Sequence, residues 1–249
     1  MEARVLAELP RFLLATRRLD HLPRGDGHAV VVVPGWGLDD TPTLPMRLAL
    51  GRLGYAVHGW GLGRNVGAGR RAELAARFDR RLAELHDIHG GPVSLVGWSL
   101  GGVVAREAAR RQPRVVRRVV SLGSPINGDP AANNVTTFLR LIGRDRASRA
   151  GSASRDAASL AGSASRDAAS LDRKRFEERR APPPVACIAV HTKTDGVVAW
   201  RCSLEEPAPH TDNVEVRGSH AGLIVNVEVL AVLAHHLPRP PWGGDHARG

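Results

Sequence analysis

The chain has 249 residues, and its formal net charge of +10 at neutral pH comes almost entirely from arginine. This length suffices for one α/β domain with a sizeable core, and no run of about 18 apolar residues predicts a transmembrane helix. Scattered arginines and an aromatic content of only 4% disfavour a nucleic-acid-binding surface, whereas weak attraction to anionic membrane surfaces is compatible with the charge.

The start of the chain indicates the cellular compartment, which bears in turn on the two cysteines. Glu8, Pro10 and Arg11 interrupt the first apolar stretch, which is therefore not typical of a signal peptide. The two cysteines, Cys187 and Cys202, fit no metal-binding spacing. We therefore expect a cytoplasmic protein without a metal ion. A disulfide between these cysteines is disfavoured because that compartment is reducing.

Strands alternate with helices along the chain. Residues 1 to about 20 predict an amphipathic helix that packs on the core or a lid, a membrane-surface helix being the alternative. The later elements are, in order, strand 28–33, helix 43–53 ended by Gly54, strand 55–58, helix 70–88, strand 93–96, a helix after Ser99, strands 115–122, 185–190 and 213–216, and helix 225–236. The first strand is apolar throughout, as in a parallel sheet that is buried on both faces. The alternation predicts a doubly wound, mostly parallel sheet in a single domain, residues 1–249.

This alternation stops between residues 126 and 181. Within this stretch, the 11 residues 150–160 are repeated without change as 161–171. Two polar copies are too few for a solenoid, and an unaltered tandem repeat is typical of a surface segment that tolerates changes in length. We expect residues 126–181 to form a polar lid or cap insertion.

The segment 97–101, Gly-Trp-Ser-Leu-Gly, has Ser99 at its centre, between a predicted strand and a predicted helix. This strand–turn–helix context is the one in which a serine hydroxyl is exposed as a nucleophile. The flanking glycines allow the sharp turn because they have no Cβ to contact the neighbouring strand or helix. The pattern therefore predicts Ser99 as a nucleophile.

A serine nucleophile of this kind needs an acid and a histidine, which follow it in that chain order. Asp195 comes shortly after strand 185–190, and Gly196 beside it fits a tight turn. Ligands of open α/β sheets bind at the carboxyl ends of the strands, where this carboxylate is expected. Asp195 is therefore the predicted acid, and Asp129 is its rival.

The predicted base is His220, in the loop between the last short strand and the last helix, and His210 is the alternative. His220 accepts the proton of Ser99 and passes it to the leaving group. Asp195 holds the imidazole in the required tautomer and stabilises its charged form.

Two backbone N–H groups are predicted to stabilise the oxyanion. One belongs to Leu100 at the start of the helix, and the other to Trp36 in the segment 34–37, Pro-Gly-Trp-Gly. Trp98 and Trp60 are candidates for an apolar cleft that binds an acyl chain. Ordinary core packing is the alternative for both tryptophans.

Taken together, the motifs resemble the α/β-hydrolase superfamily, and within it the small esterase/lipase-like branch. The resemblance depends on residues 34–37, 97–102, 123–125, 194–196 and 218–220. It implies the α/β-hydrolase fold, a Ser-His-Asp triad, no metal or organic cofactor, and a small-molecule or lipid ester as substrate. Only about 27 residues precede the first strong strand, so we expect a sheet of about six strands without the two leading strands of the full fold. Pro34 also stands where a histidine often precedes the glycine of the oxyanion loop.

A serine hydrolase that cleaves carboxylic esters is the leading prediction. An acyltransferase is the alternative among enzymes, because it needs the same triad. A non-catalytic binding protein on a hydrolase scaffold is a third interpretation, which the intact Ser99, Asp195 and His220 disfavour. A basic protein of the membrane surface is a fourth.

Overall fold

The structure of this protein is a computed structural model that describes residues 5–16, 19–65, 71–127 and 180–242. The predicted insertion lies outside the described residues except for its first two and last two positions. Both copies of the repeat, 150–160 and 161–171, and the rival acid Asp129 are therefore outside them as well.

Within these described residues, six parallel strands form one sheet in the order β2-β1-β3-β4-β5-β6. Their bounds are β1 Ala29–Val33, β2 Ala56–Gly59, β3 Val93–Trp98, β4 Val116–Leu122, β5 Ala186–His191 and β6 Thr211–Glu215. The next strand, β2, pairs with one side of β1, and β3 pairs with the other side. Such a reversal opens a crevice at the carboxyl ends of the two strands. The predicted doubly wound parallel sheet is confirmed.

Helices cover both faces of this sheet. They are α1 Val5–Ala15, α2 Leu44–Leu53, α3 Arg71–His89, α4 Leu100–Arg111 and α5 Val227–His236, with short 3₁₀ helices at Thr41–Thr43, Trp200–Ser203 and Ala221–Val225. Gly54 ends α2 in a left-handed conformation with φ 103°, as its position after the helix predicted. The last helix begins later than predicted because the side chain of Asn226 caps it and accepts hydrogen bonds from the N–H groups of Glu228 and Val229.

Alternate residues of each central strand enter two separate apolar clusters. In β1, Val30 and Val32 pack with α1, α2 and α5, while Val31 and Val33 pack with α3 and α4. The strand is buried on both faces, as its continuous apolar sequence predicted. The edge strands β2 and β6 are less buried, because each has a neighbour on one side only.

The N-terminal helix α1 packs on the core through Phe12. Phe12 is completely buried, whereas Leu9, Leu13 and Leu14 are exposed. Its neighbours are the 3₁₀ helix Ala221–Val225 and α5. Packing on the core is thus the observed arrangement, and among the side chains described in α1, residues 8–15, three of the predicted apolar residues lie on the exposed side. Among the described residues, none of the helices has the length and apolar content of a membrane span.

The two described ends of the predicted insertion meet at one carboxylate. Asn127 Nδ2 donates to Glu206 Oε1 over 3.0 Å. Arg180 donates to the same oxygen through Nε and Nη2, over 3.1 and 2.5 Å. The chain thus leaves and re-enters the described structure at neighbouring points.

Candidate active site

Ser99 lies at the turn between β3 and α4, at the reversal point of the sheet. Its backbone has φ 54° and ψ −122°, and it is the only non-glycine residue with positive φ in the described part of the chain. A conformation of this kind costs about 1–3 kcal/mol and persists only where the surroundings impose it. Two backbone hydrogen bonds do so: Ser99 N–H donates to Leu122 O, and Gly102 N–H donates to Ser99 O.

The glycines around Ser99 are required by space. A Cβ on Gly97 would lie 2.4 Å from backbone atoms of Gly101, and a Cβ on Gly101 would lie 2.2 Å from the carbonyl oxygen of Val33. A Cβ on Gly102 would lie 2.0 Å from Ser124 Oγ. The helix α4 therefore approaches β1 and β3 so closely that only glycine fits, which is the reason that the sequence predicted.

A continuous hydrogen-bonded chain joins three predicted residues. His220 Nδ1 lies 2.7 Å from Asp195 Oδ2, and His220 Nε2 lies 3.1 Å from Ser99 Oγ. The side chains of His220 and Asp195 are 7% and 1% exposed. An Nδ1–H that donates to the carboxylate leaves Nε2 as the acceptor that faces the serine hydroxyl.

The second oxygen of Asp195 fixes the orientation of this carboxylate. Its Oδ1 accepts hydrogen bonds from the N–H groups of Val197 and Val198, over 2.8 and 2.7 Å. The turn after β5 therefore holds the carboxylate on the side of His220. The Asp-Gly sequence correctly predicted a tight turn at this place.

Gly123 lies next to the contact between Asp195 and His220. Its φ is +57°, and a Cβ at this position would lie 3.1 Å from Asp195 Oδ2 and 3.2 Å from His220 Nδ1. A side chain would therefore be strained and would also press on both partners. In the sequence, Gly123 stood out only as part of the family resemblance.

The loop 34–37 lies beside Ser99. A Cβ on Gly35 would be 3.5 Å from Ser99 Cβ. The buried Asn65 fixes the loop, because its Nδ2 donates to Pro34 O over 2.7 Å and its backbone O accepts from Gly37 N–H, also over 2.7 Å. Asn65 was not predicted as a functional residue; its only signal in the sequence was an asparagine in a glycine-rich loop, where this side chain often binds backbone groups.

The two predicted cleft tryptophans lie on opposite faces of the sheet. Trp98 is 8% exposed, and its Nε1 donates to the backbone O of His220 over 3.1 Å, so it supports the histidine loop. Trp60 is 1% exposed and packs with Phe78 under α3 and α4. Core packing, the alternative for both, describes Trp60, which the structure does not bring to Ser99.

The alternative base His210 lies at the amino ends of the strands, whereas Ser99 lies at their carboxyl ends. It immediately precedes β6, and its Nε2 lies 3.1 Å from Pro183 O. All strands are parallel, so the amino end of β6 is on the opposite edge from Ser99. His210 is thus not part of the same cluster. The described residues also contain no group of three or more side chains suited to a metal ion.

A second chain of aspartate, histidine and serine occurs at that opposite edge. His28 Nε2 lies 2.7 Å from Ser94 Oγ, and His28 Nδ1 contacts the carboxylate of Asp26. Ser94 is fully buried inside β3, in ordinary strand conformation. Without a turn that exposes the hydroxyl, this cluster has the hydrogen bonds of a triad but no access for a substrate.

The loop that carries His220 is also bound by the N-terminal helix. Ser219 N–H donates to Glu8 Oε1 over 3.0 Å, and Ser219 Oγ donates to Glu8 Oε2 over 2.7 Å. In the sequence, Glu8 was notable only as a residue that is not typical of a signal peptide. Two residues so far apart in the chain have no local pattern that could reveal such a contact.

Comparisons with known proteins agree on one family. A family model described as the alpha/beta hydrolase family matches residues 30–245. A pimeloyl-[acyl-carrier protein] methyl ester esterase from Shewanella woodyi is 31% identical over 100 residues, which cover 40% of this chain and 37% of that protein. The chain thus spans only about 37% of the length of the curated relatives that it matches first.

Two solved structures share the fold at low sequence identity. The mature lipase BlEst2 of Bacillus licheniformis matches with a TM-score of 0.55 and 15% identity, over 88% of this chain and 95% of that chain. The monoacylglycerol lipase of Paleococcus ferrophilus matches with a TM-score of 0.55 and 16% identity, over 86% and 97% of the two chains.

Proposed function

Because the chain belongs to the alpha/beta hydrolase family, we propose that it is a serine hydrolase that cleaves carboxylic esters through an acyl-enzyme on Ser99. One observation carries the proposal: Ser99 Oγ, at a strained turn, lies 3.1 Å from His220 Nε2, whose other ring nitrogen lies 2.7 Å from Asp195. A hydroxyl in this arrangement has a base within hydrogen-bond distance, as general-base catalysis requires.

Acylation begins when Ser99 Oγ attacks the ester carbonyl carbon while His220 Nε2 takes the hydroxyl proton. Asp195 stabilises the resulting imidazolium and remains ionised itself. The tetrahedral intermediate collapses when the bond from carbon to the alkoxy oxygen breaks and His220 gives its proton to the departing alcohol. In the second half, His220 deprotonates a water molecule that attacks the acyl-enzyme, which releases the acid and restores the Ser99 hydroxyl.

The proposed oxyanion donors are the backbone N–H groups of Leu100 and Trp36. Leu100 is the first residue of α4, so its N–H has no partner within the helix and lies at the positive end of the helix dipole. Trp36 follows Gly35, which lies against Ser99, and Asn65 holds this loop in place. Loss of one such donor typically lowers kcat by about 100- to 1000-fold.

The proposed substrates are small-molecule carboxylic esters, lipid esters among them. The names of the relatives support this class, since they include a methyl ester esterase and lipases. Methyl and p-nitrophenyl esters of straight-chain acids, from acetate to palmitate, are therefore the first substrates to test. The proposed chemistry uses only side chains and backbone groups of this chain.

The test combines covalent labelling with ester hydrolysis. Wild-type protein, Ser99→Ala and Ser94→Ala are treated with a fluorophosphonate probe and assayed on the ester series. We expect labelling and hydrolysis in the wild type and in Ser94→Ala, and neither in Ser99→Ala. Ser94 is the matched control because it also contacts a histidine, over 2.7 Å, but is fully buried.

Two outcomes would count against the proposal. A wild-type protein that takes up no probe and hydrolyses no ester of the series favours a binding protein on a hydrolase scaffold. Labelling that persists in Ser99→Ala would show that the nucleophile is a residue other than Ser99. Addition of a primary alcohol to the assay separates hydrolysis from acyl transfer, because a transferase forms the new ester in preference to the free acid.

A further inference from the structure

We propose that Glu8 of α1 is a positioning residue for His220, acting through Ser219. The inference rests on the proposed function, in which His220 is the base. It makes the N-terminal helix a part of the machinery that places the histidine, rather than a cover for the core alone.

The contact between Glu8 and Ser219 uses both oxygens of one carboxylate. Oε1 accepts from the backbone N–H of Ser219 over 3.0 Å, and Oε2 accepts from its hydroxyl over 2.7 Å. Ser219 is fully buried, and its Oγ in turn accepts from Gly222 N–H over 3.1 Å. Bonds to an ionised acceptor are about twice as strong as neutral ones, so this pair fixes the residue directly before His220.

The carboxylate fills a space that the loop leaves for it. A Cβ on Gly222 would lie 1.6 Å from Glu8 Oε2, so Gly222 and Glu8 cannot both hold their places if a side chain is added there. Gly222 belongs to the 3₁₀ helix Ala221–Val225 and does not have positive φ, so alanine suits its backbone. Glycine at position 222 therefore leaves the room that the Glu8 carboxylate occupies.

The remaining anchors of the loop do not replace this contact. Trp98 Nε1 donates to His220 O, and the hydroxyls of Thr192 and Thr194 donate to Gly218 O over 3.0 and 2.6 Å. These groups hold the residues on either side of Ser219, and Leu223 N–H donates to Ser219 O over 3.1 Å, but it is Glu8 that accepts from both the N–H and the hydroxyl of Ser219. Glu8 therefore sets the position of the peptide that leads into the histidine.

Displacement of the loop lowers the rate of the chemical step. An error of about 1 Å in the position of a catalytic group can reduce the rate 100-fold. We expect Glu8→Ala to lower kcat by about 10- to 100-fold and to leave KM nearly unchanged, because Glu8 contacts the loop and not the substrate. Fluorophosphonate labelling slows by the same factor. Glu8→Gln gives an intermediate value, because its Oε1 still accepts from Ser219 N–H.

A reciprocal variant tests the same contact from the other side. Gly222→Ala pushes the carboxylate away and lowers kcat as Glu8→Ala does. A Cβ on Gly222 would also lie 2.8 Å from Ser219 Oγ, but without the Glu8 carboxylate this hydroxyl can turn into the space that is left. Added to Glu8→Ala, Gly222→Ala therefore causes less loss than it does alone. Two independent lesions would instead multiply their effects.

Two controls on α1 separate positioning from general damage. Arg11→Gln changes an exposed charge one turn from Glu8 and leaves kcat unchanged. Phe12→Leu weakens the buried anchor of α1 and lowers the unfolding temperature, but keeps the carboxylate and therefore kcat at temperatures well below unfolding. Equal losses of kcat in Phe12→Leu and Glu8→Ala would overturn the proposal.

Hydrogen exchange measures the loop without any substrate. We expect the amides of residues 217–222 to exchange faster in Glu8→Ala and in Gly222→Ala than in the wild type or Arg11→Gln. Unchanged exchange together with wild-type kcat in Glu8→Ala overturns the proposal. If the wild type neither labels nor hydrolyses an ester, the proposed function fails, and exchange of these amides alone then decides for or against the Glu8 contact.

Discussion

Gly101→Ala should disable the proposed active site, because the added methyl group would displace the loop 34–37. Gly101 is in the first turn of α4, and a Cβ there would lie 2.2 Å from Val33 O, 2.7 Å from Pro34 O and 2.8 Å from Val33 C. All three are backbone atoms at the start of the loop that carries the proposed Trp36 donor. A flexible side chain could turn aside, but these atoms belong to a strand and its exit.

The size of the effect follows from these distances. Carbon and backbone oxygen do not approach closer than about 3 Å, so the end of β1 or the start of α4 must move by nearly 1 Å, an overpacking that costs about 1–3 kcal/mol. The same displacement takes the proposed Trp36 donor out of line with the oxyanion, and loss of such a donor lowers kcat by about 100- to 1000-fold. We therefore expect a loss of activity that is much larger than the loss of stability implies.

A matched glycine provides the control. Gly51 lies inside α2, and a Cβ there meets no atom within 4 Å, so Gly51→Ala adds the same methyl group to open space. Alanine in a helix is favoured over glycine by about 0.5–1 kcal/mol, so this variant should gain stability and keep full kcat.

The assay is urea unfolding at 25 °C together with p-nitrophenyl ester hydrolysis for both variants. Wild-type kcat in a folded Gly101→Ala protein would refute the assignment of the loop 34–37 to the oxyanion site. A loss of kcat in Gly51→Ala would show that any added methyl group disturbs this chain, and the argument from distance would then fail.

Three further expectations concern stability. Glu205→Gln breaks the buried ion pair with Arg106, in which the two side chains are 1% and 3% exposed, and should cost about 3–5 kcal/mol in urea unfolding; Glu215→Gln, in an exposed pair, should cost less than about 1 kcal/mol. Deletion of the second repeat, 161–171, should change the free energy of unfolding by no more than about 0.5 kcal/mol, because Asn127 and Arg180, at the two described ends of the predicted insertion, both bind Glu206. Burial lowers the pKa of His236 below its ordinary value of 6.5, so the native state binds fewer protons than the unfolded chain. The stability contributed by this neutral imidazole is therefore lost as the pH falls below 6.5, and the decline measured by urea unfolding should be smaller in His236→Gln.

Features that depend on neighbouring residues were predictable from the sequence. The apolar run of β1 predicted a strand that is buried on both faces, and Gly54 predicted the end of α2. The order of Ser99, Asp195 and His220 placed each at the carboxyl end of a strand or in the loop beyond. Since parallel strands share that edge, chain order alone was enough to bring the three side chains together.

Contacts between distant segments were not predictable, because they leave no periodic pattern. Glu8 and Asn65 each bind backbone or side-chain groups of a loop far away in the chain, and a single polar residue gives no sign of such a partner. Trp60 had the opposite difficulty. A tryptophan beyond a strand end fits a cleft and a core equally well in sequence, and only its packing under α3 and α4 decides between them.

The backbone of Ser99 places stability and chemistry in opposition at one residue. Its φ of 54° is a conformation that glycine adopts without strain, whereas serine carries a cost of about 1–3 kcal/mol. Ser99→Gly should therefore be a stabilising substitution that destroys the proposed nucleophile. A directed-evolution experiment that selects only for heat resistance would drift toward glycine at this position, so a screen for thermostable variants of this chain must score turnover in every round.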